Sequence, residues 1–166
     1  ISILDLRIIK NLKLINYLFV SPGINPKHPA LMLAKKYKIE IIGDLDIFWQ
    51  EESNTINKFI VVTGSNGKST VTSIIYHLLK SIKYKTILGG NIGIPVLSLK
   101  KPKKATYYII EASSYQLELV KKLKPDIAIL TNLTPDHIEW HGSLANYISA
   151  KEKLFQKQDN NNLAII

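Results

Sequence analysis

Cysteine is absent from the 166 residues, which removes disulfides and thiolate metal sites and leaves a reducing cytoplasm as the default compartment. No apolar run reaches the roughly 18 to 20 residues of a membrane-spanning helix, and no segment has the layout of a signal peptide with its cleavage site. Membrane insertion is therefore not expected. Arginine is scarce, so the net charge of +9 comes from lysines scattered along the chain without aromatic interleaving. A lysine-rich compositional background explains that charge better than nucleic-acid binding does, and an anionic, phosphate-bearing substrate would use the same field. Internal repeats and low-complexity stretches are missing too. With 46% hydrophobic and 21% charged residues, the composition is globular and argues against disorder. The length suffices to bury a sizeable core.

What is present is a rhythm of short apolar runs and helical stretches. Tyr17-Leu-Phe-Val20 reads as a buried strand that breaks at Ser21-Pro22-Gly23-Ile24; a helix from about Pro29 to Tyr37 and a strand Ile39-Glu-Ile-Ile42 follow. The polar, aperiodic segment from Gln50 to Asn57 marks the expected domain boundary. Beyond it come strand Phe59 to Thr63, a helix from about Lys68 to Ile82, strand Thr86 to Leu88, strand Tyr107 to Glu111 and a helix near Gln116 to Lys122. Strand Ile127 to Thr131, a helix from about Leu144 to Gln158 and a closing strand Leu163-Ala-Ile-Ile166 complete the series. Alternation over short loops predicts an α/β fold with a mostly parallel sheet covered by helices on both faces. The chain opens on Ile1 rather than Met and closes on that strand, so it is expected to be a fragment of a longer protein.

Ligands of such sheets sit at the carboxyl ends of the strands. The most informative of those ends is Thr63-Gly-Ser-Asn-Gly-Lys-Ser-Thr70, a buried strand running through a glycine loop straight into a helix. Gly64 and Gly67 let the backbone approach an anion, amides of Ser65 and Asn66 face it, and the helix that Thr70 enters offers its positive end. Lys68 then neutralises the outer phosphates and the Ser69 hydroxyl is placed to ligate Mg²⁺. The general phosphate-loop pattern G-x-x-x-x-G-K-[ST] would need glycine where Val62 stands, so this is a shortened loop.

The other strand ends contribute Asn91, Glu111 with Ser113 and Ser114, and Asn132 with Asp136 and His137. Mg²⁺ prefers hard oxygen ligands and retains waters, and Glu111 is the best carboxylate for it; a solvated strand-end acid is the plain alternative. His137 reads either as a second ligand or as a loop histidine. His77 reads as structural, and surface positions are favoured for His28 and His141. On position alone Lys151 is an ordinary solvated lysine.

Taken together, Ser21-Pro-Gly-Ile24, the Thr63 to Thr70 loop, Gly89-Gly-Asn-Ile-Gly93, Glu111-Ala-Ser-Ser-Tyr-Gln-Leu-Glu118, Asn132-Leu-Thr-Pro-Asp-His137 and Tyr147 through Lys151 resemble the Mur ligases of bacterial cell-wall synthesis. They occur in the family's order and cover nearly all of the chain, and the loop, glycine and glutamate motifs are similar to those of its D-glutamate-adding branch. The resemblance implies a parallel P-loop-type central ATPase domain, present in part as residues 55–166. Before it, residues 1–54 would be the later part of a Rossmann-like domain that binds the UDP substrate, and a C-terminal domain would be absent. It implies ATP and two Mg²⁺ ions as cofactors, UDP-N-acetylmuramoyl-L-alanine and D-glutamate as substrates, a cytoplasmic monomer when whole, and no ligation by this fragment alone. Residue by residue, Lys68 and the loop amides would hold the β- and γ-phosphates, and Ser69 and Glu111 the nucleotide's Mg²⁺. His137 and a carbamylated Lys151 would hold a second ion. Asn91 and Ser113 would meet the muramoyl substrate near its reacting end, and Ser21, Pro22 and Gly23 its diphosphate. The alternatives are another Mur ligase, an enzyme similar to folylpolyglutamate synthase, a nucleotide-binding module without catalysis, or a basic nucleic-acid-binding domain.

Overall fold

A computed structural model describes residue 11 and residues 14–166; the rest of the expected first domain lies outside the described residues. Five parallel strands form the main sheet: β3 (Lys58–Thr63), β4 (Thr86–Gly90), β5 (Tyr107–Glu111), β6 (Ile127–Leu130) and β7 (Leu163–Ile165), in the order β4-β5-β3-β6-β7. β3 occupies the centre, which is why Phe59 to Thr63 is an unbroken buried run and not an alternating one. The expected strand over Thr86 to Leu88 extends through both glycines, and the closing strand is paired with β6.

Alternation along the central strands sends side chains to two faces. Phe59, Val61, Tyr108 and Ile110 join one core cluster with Leu117, Leu123 and Leu154. The other face meets α3 (Lys68–Ser81), which packs on β4 and β5. Of the apolar residues at helical spacing on that helix, Val71, Ile75 and Leu79 are half-buried, whereas Ile74 and Leu78 are exposed. His77, read as structural, is also exposed, its ring edge against Tyr76.

A second, smaller unit precedes this sheet. β1 (Tyr17–Phe19) and β2 (Glu40–Ile42) pair in parallel, joined by α1 (Pro29–Lys36), whose N-terminus His28 caps by accepting from the Ala30 amide at 3.2 Å. Leu18, Val20, Leu31, Ala34 and Ile41 form its core. Between the units lies α2 (Asp44–Glu52), a helix absent from the expected elements. Four acids and a tryptophan hide its periodicity, yet Leu45 and Phe48 enter the core of the large sheet, where Phe48 meets Phe59 and Tyr108 edge to face at 5.9 and 5.0 Å. The polar stretch expected to separate two domains therefore begins inside a helix that belongs to the larger core.

The remaining elements differ from expectation for local reasons. The helix expected near 116–122 is α4 (Ser114–Glu118), started two residues early because Ser113 and Gln116 form a reciprocal capping box. It stops where the buried Asp46 carboxylate accepts from the amides of Lys121, Lys122 and Leu123 at 2.8, 3.0 and 3.2 Å. A short helix, α5 (Ile138–His141), ends at Gly142 in the left-handed region, and α6 (Leu144–Glu152), capped by Ser143, ends six residues before Gln158. Among the described residues no helix is long and apolar enough to cross a membrane.

Candidate nucleotide and carboxylate site

The connections after β3 and β6 leave in opposite directions, toward β4 and toward β7, which opens a crevice at their carboxyl ends. The glycine loop fills it. Gly64 has φ +152° and lies so close to β6 that a Cβ would overlap the Thr131 hydroxyl; Gly67 has φ +79°. Both positions exclude side chains, one by contact and strain, the other by strain alone.

Two of the amides expected to face an anion are engaged elsewhere. Ser65 N–H donates to the Asn132 carbonyl at 3.1 Å and Asn66 N–H to the Asn132 side-chain oxygen at 2.9 Å, while the Asn132 carboxamide returns a bond to the Asn66 carbonyl at 2.9 Å. The amides of Gly67, Lys68, Ser69 and Thr70, at the N-terminus of α3, have no protein acceptor among the described residues; the anion-facing surface is therefore the helix end. The Ser65 side chain points away, accepting from Thr134 N–H at 2.9 Å and lying 2.7 Å from the Tyr147 hydroxyl. Asn132 was visible as a strand-end residue and Tyr147 as a member of a motif, with no individual role attached to either.

Lys68 folds back over the loop, its ammonium donating to the Gly64 and Ser65 carbonyls at 3.0 and 2.9 Å. Next to it the Ser69 hydroxyl donates to Glu111 at 2.7 Å, and the Asn91 carboxamide donates to the other oxygen of that carboxylate at 2.8 Å. Glu111 is buried at the end of β5, on the face that α3 covers; it is not a solvated strand-end acid. Gly90 lets β4 come close enough for the Asn91 amide to donate to the Glu111 carbonyl at 2.8 Å.

A cavity of about 100 Å³ is lined by Lys68, Asn91, Ser113, Asp136, His137 and Lys151 among others. The structure thus brings together both lysines, the expected histidine and two of the expected substrate residues. Lys151 is 2% exposed, donates to the Gly64 carbonyl at 2.8 Å and lies 4.8 Å over the Tyr147 ring. Burial first, and the Lys68 charge second, lower its pKa to about 8, with Asp136 opposing them. His137 takes the left-handed conformation, φ +52°, which turns its ring toward Asp136 at 3.3 Å and Tyr115 at 4.8 Å.

One expectation comes out differently. His141 is buried, with Nε2 3.0 Å from the Ser114 hydroxyl and its ring parallel to Tyr115, and burial lowers its pKa. Ser21, Pro22 and Gly23 do not line the cavity with Lys68. They form the turn after β1, and Pro22 borders a separate cavity of about 290 Å³ between the two units, with Leu31, Ile41, Leu119 and Trp140.

Ser69 and Glu111 offer adjacent hard oxygens, a donor set suited to Mg²⁺ completed by phosphate oxygens and water. Among the described residues no three His, Asp or Glu side chains converge on one point, so a second cation near His137 would need an additional anionic oxygen.

The UDP-N-acetylmuramoylalanine–D-glutamate ligase of Rhizobium etli is 46% identical over 149 residues, covering 86% of this chain and 32% of that protein. The ligase of the same name from Wolbachia pipientis is 48% identical over 141 residues, 84% of this chain and 27% of that one. The chain thus spans about a third of the length of the curated relatives it matches. In fold, it superposes with a TM-score of 0.56 on MurF ligase from Thermotoga maritima in complex with ADP, at 18% identity, covering 98% of this chain and 46% of the other. Residues 62–166 match the Mur ligase middle domain, and the chain belongs to the Mur ligase family.

Proposed function

We propose that the whole protein is an ATP-dependent ligase that adds D-glutamate to UDP-N-acetylmuramoyl-L-alanine, a step of cell-wall precursor synthesis in the cytoplasm. The observation that carries the reading is one site in which a phosphate loop and Lys68 border a cavity also lined by Asn91, Ser113, His137 and Lys151, with the Ser69–Glu111 pair joined to it through the Asn91 carboxamide. The names of the curated relatives supply the substrates. Residues 1–54 would be part of the UDP-binding domain and 55–166 part of the ATP-binding one, with α2 of the first docked on the core of the second.

The terminal carboxylate of the UDP-sugar attacks the γ-phosphorus of ATP, the bond to the ADP oxygen breaks, and an acyl phosphate forms. The amine of D-glutamate then adds to the acyl carbon, phosphate leaves and the nitrogen loses a proton. Anions must meet in the first step, so positioning and positive charge dominate. The helix end binds the phosphates, with Gly64, Ser65, Asn66 and Gly67 shaping the approach, and Lys68 leaves the loop carbonyls for the β- and γ-phosphates. Ser69 and Glu111 would hold Mg²⁺, which would supply further positive charge to the transferring phosphoryl group. Asn91 and Ser113 orient the reacting end of the sugar substrate, while Ser21, Pro22 and Gly23 reach its diphosphate from the smaller unit.

Lys151 is suited to carbamate formation. Its neutral amine, populated near a pKa of about 8, takes up CO₂ with loss of a proton and becomes the anionic oxygen donor that a second cation beside His137 requires. Activity independent of CO₂ would remove this role.

The decisive experiment uses the full-length protein. Lys68→Ala is expected to keep the far-ultraviolet spectrum and melting temperature while ADP release dependent on both co-substrates drops by at least about a hundredfold. Near-normal turnover would overturn the assignment. Offering L-alanine, a diamino acid or L-glutamate in place of D-glutamate tests the amino-acid choice.

A further inference from the structure

Ser113 lines the cavity, but the groups behind it determine how it presents itself. Its amide donates to the Gln116 side-chain oxygen at 3.1 Å, its hydroxyl donates to the same oxygen at 3.2 Å, and that hydroxyl accepts from the Gln116 amide at 3.2 Å. The hydroxyl proton is thus engaged, and a lone pair is what remains for a ligand. Everything depends on the Gln116 carboxamide presenting oxygen to Ser113. Asp44 sets that orientation: its carboxylate accepts from Gln116 Nε2 at 2.8 Å and, through the other oxygen, from the Leu45 amide at 2.9 Å. A flipped Gln116 would aim oxygen at a carboxylate and N–H groups at the Ser113 amide, two repulsive contacts in a buried setting.

Asp44 is also the first residue of α2, just after the close approach of Gly43 to Leu119, where a Cβ would stand 2.9 Å from Leu119 Cβ. The chain passing between the two units is thereby tied to the segment that carries Ser113. Four further bonds reinforce the tie: the Asp46 carboxylate accepts three from the backbone after α4, and the Lys121 ammonium donates to the Ile41 carbonyl at 2.6 Å.

We propose that Asp44 is a positioning residue which, by fixing Gln116, makes Ser113 an obligate hydrogen-bond acceptor toward the cavity, selecting an N–H or O–H group of the bound substrate over a carboxylate or phosphate oxygen. This rests on the functional reading above, in which Ser113 meets the sugar substrate near its reacting end. There the amide N–H of the terminal alanine is a donor of the required kind.

The test inverts the relay in the full-length protein. Gln116→Glu alone sets two carboxylates face to face and is expected to raise the KM for UDP-N-acetylmuramoyl-L-alanine about tenfold, with the KM for ATP within about twofold. Adding Asp44→Asn restores every bond, because the asparagine amide donates to the introduced carboxylate while its oxygen still accepts from Leu45. The sugar KM should then return to within about threefold of wild type. A double variant no better than Gln116→Glu, or an ATP KM that moves in step with the sugar KM, overturns the proposal. Should the wild-type protein not ligate this acceptor at all, the functional reading falls. The relay is then judged by the Gln116 side-chain amide in nuclear magnetic resonance: protection from exchange that vanishes in Asp44→Ala supports it, and protection unchanged in that variant refutes it.

Discussion

The two parallel sheets of this chain are built on the same strand-helix-strand rule and differ in what their strand ends can hold. In the five-stranded sheet, β3 is flanked on both sides, its residues from Phe59 onward are buried, and a rigid loop leaves it at the crevice. In the two-stranded unit, each three-residue strand buries only its middle residue, Tyr17 and Phe19 face outward, and the turn after β1 is largely exposed. Depth of burial decides how tightly a loop's backbone can be held. The larger core fixes a strained glycine loop to within hydrogen-bond precision; the smaller one presents a turn secured by one bond, from Ile24 N–H to the Ser21 carbonyl at 3.0 Å.

Core truncation tests that contrast with the largest effect. Ile109→Ala, at a fully buried position on β5, should cost about 4 kcal/mol, and Leu31→Ala in the small unit about 2 kcal/mol, read from denaturant unfolding of the intact protein. Equal losses would erase the distinction. Next comes Gly64→Ala, which forces a Cβ against Thr131; about 2 to 3 kcal/mol of strain should appear as lost stability or as weaker ATP binding in titration calorimetry. An unchanged variant would show that the loop is not rigidly held.

The third prediction concerns Lys151. Its folded pKa, about 8, lies below the unfolded 10.5, so between those values the unfolded chain binds more protons. Stability from this group therefore rises with pH across that window, by on the order of 3 kcal/mol, and its burial penalty is fully present below about 8. Lys151→Met should flatten that rise; an unaltered slope would mean the amine is solvated. The smallest effect is expected from Lys58→Met, which removes a 2.7 Å ion pair with Asp126 at an exposed position on β3. The loss should stay under about 1 kcal/mol in the same denaturant assay.

The strands and the phosphate loop were legible in the sequence because a central parallel strand has to be continuously apolar and because glycine has no substitute where backbone meets backbone. Lys68, Asn91, Glu111 and His137 could be collected by following strands to their ends, whereas Lys151, on a helix, was singled out by family resemblance alone. What could not be read was set by contacts between distant segments. α2 is masked by acids, one of which, Asp46, turns inward to bind three amides 75 to 77 residues away. His141 looks like a surface residue until Tyr115 and Tyr147 close around it at 5.9 and 5.4 Å. The Ser65 amide is spent on Asn132, a partner 67 residues further along the chain that no spacing rule indicates.

The reciprocal bonds between Asn66 and Asn132 close the loops after β3 and β6 into a ring. A ring that is already closed has few alternative shapes to surrender. Capture of an anion there should accordingly leave the loop's amide order parameters almost unchanged, and the entropy of association should be dominated by released water and counterions in place of backbone freezing.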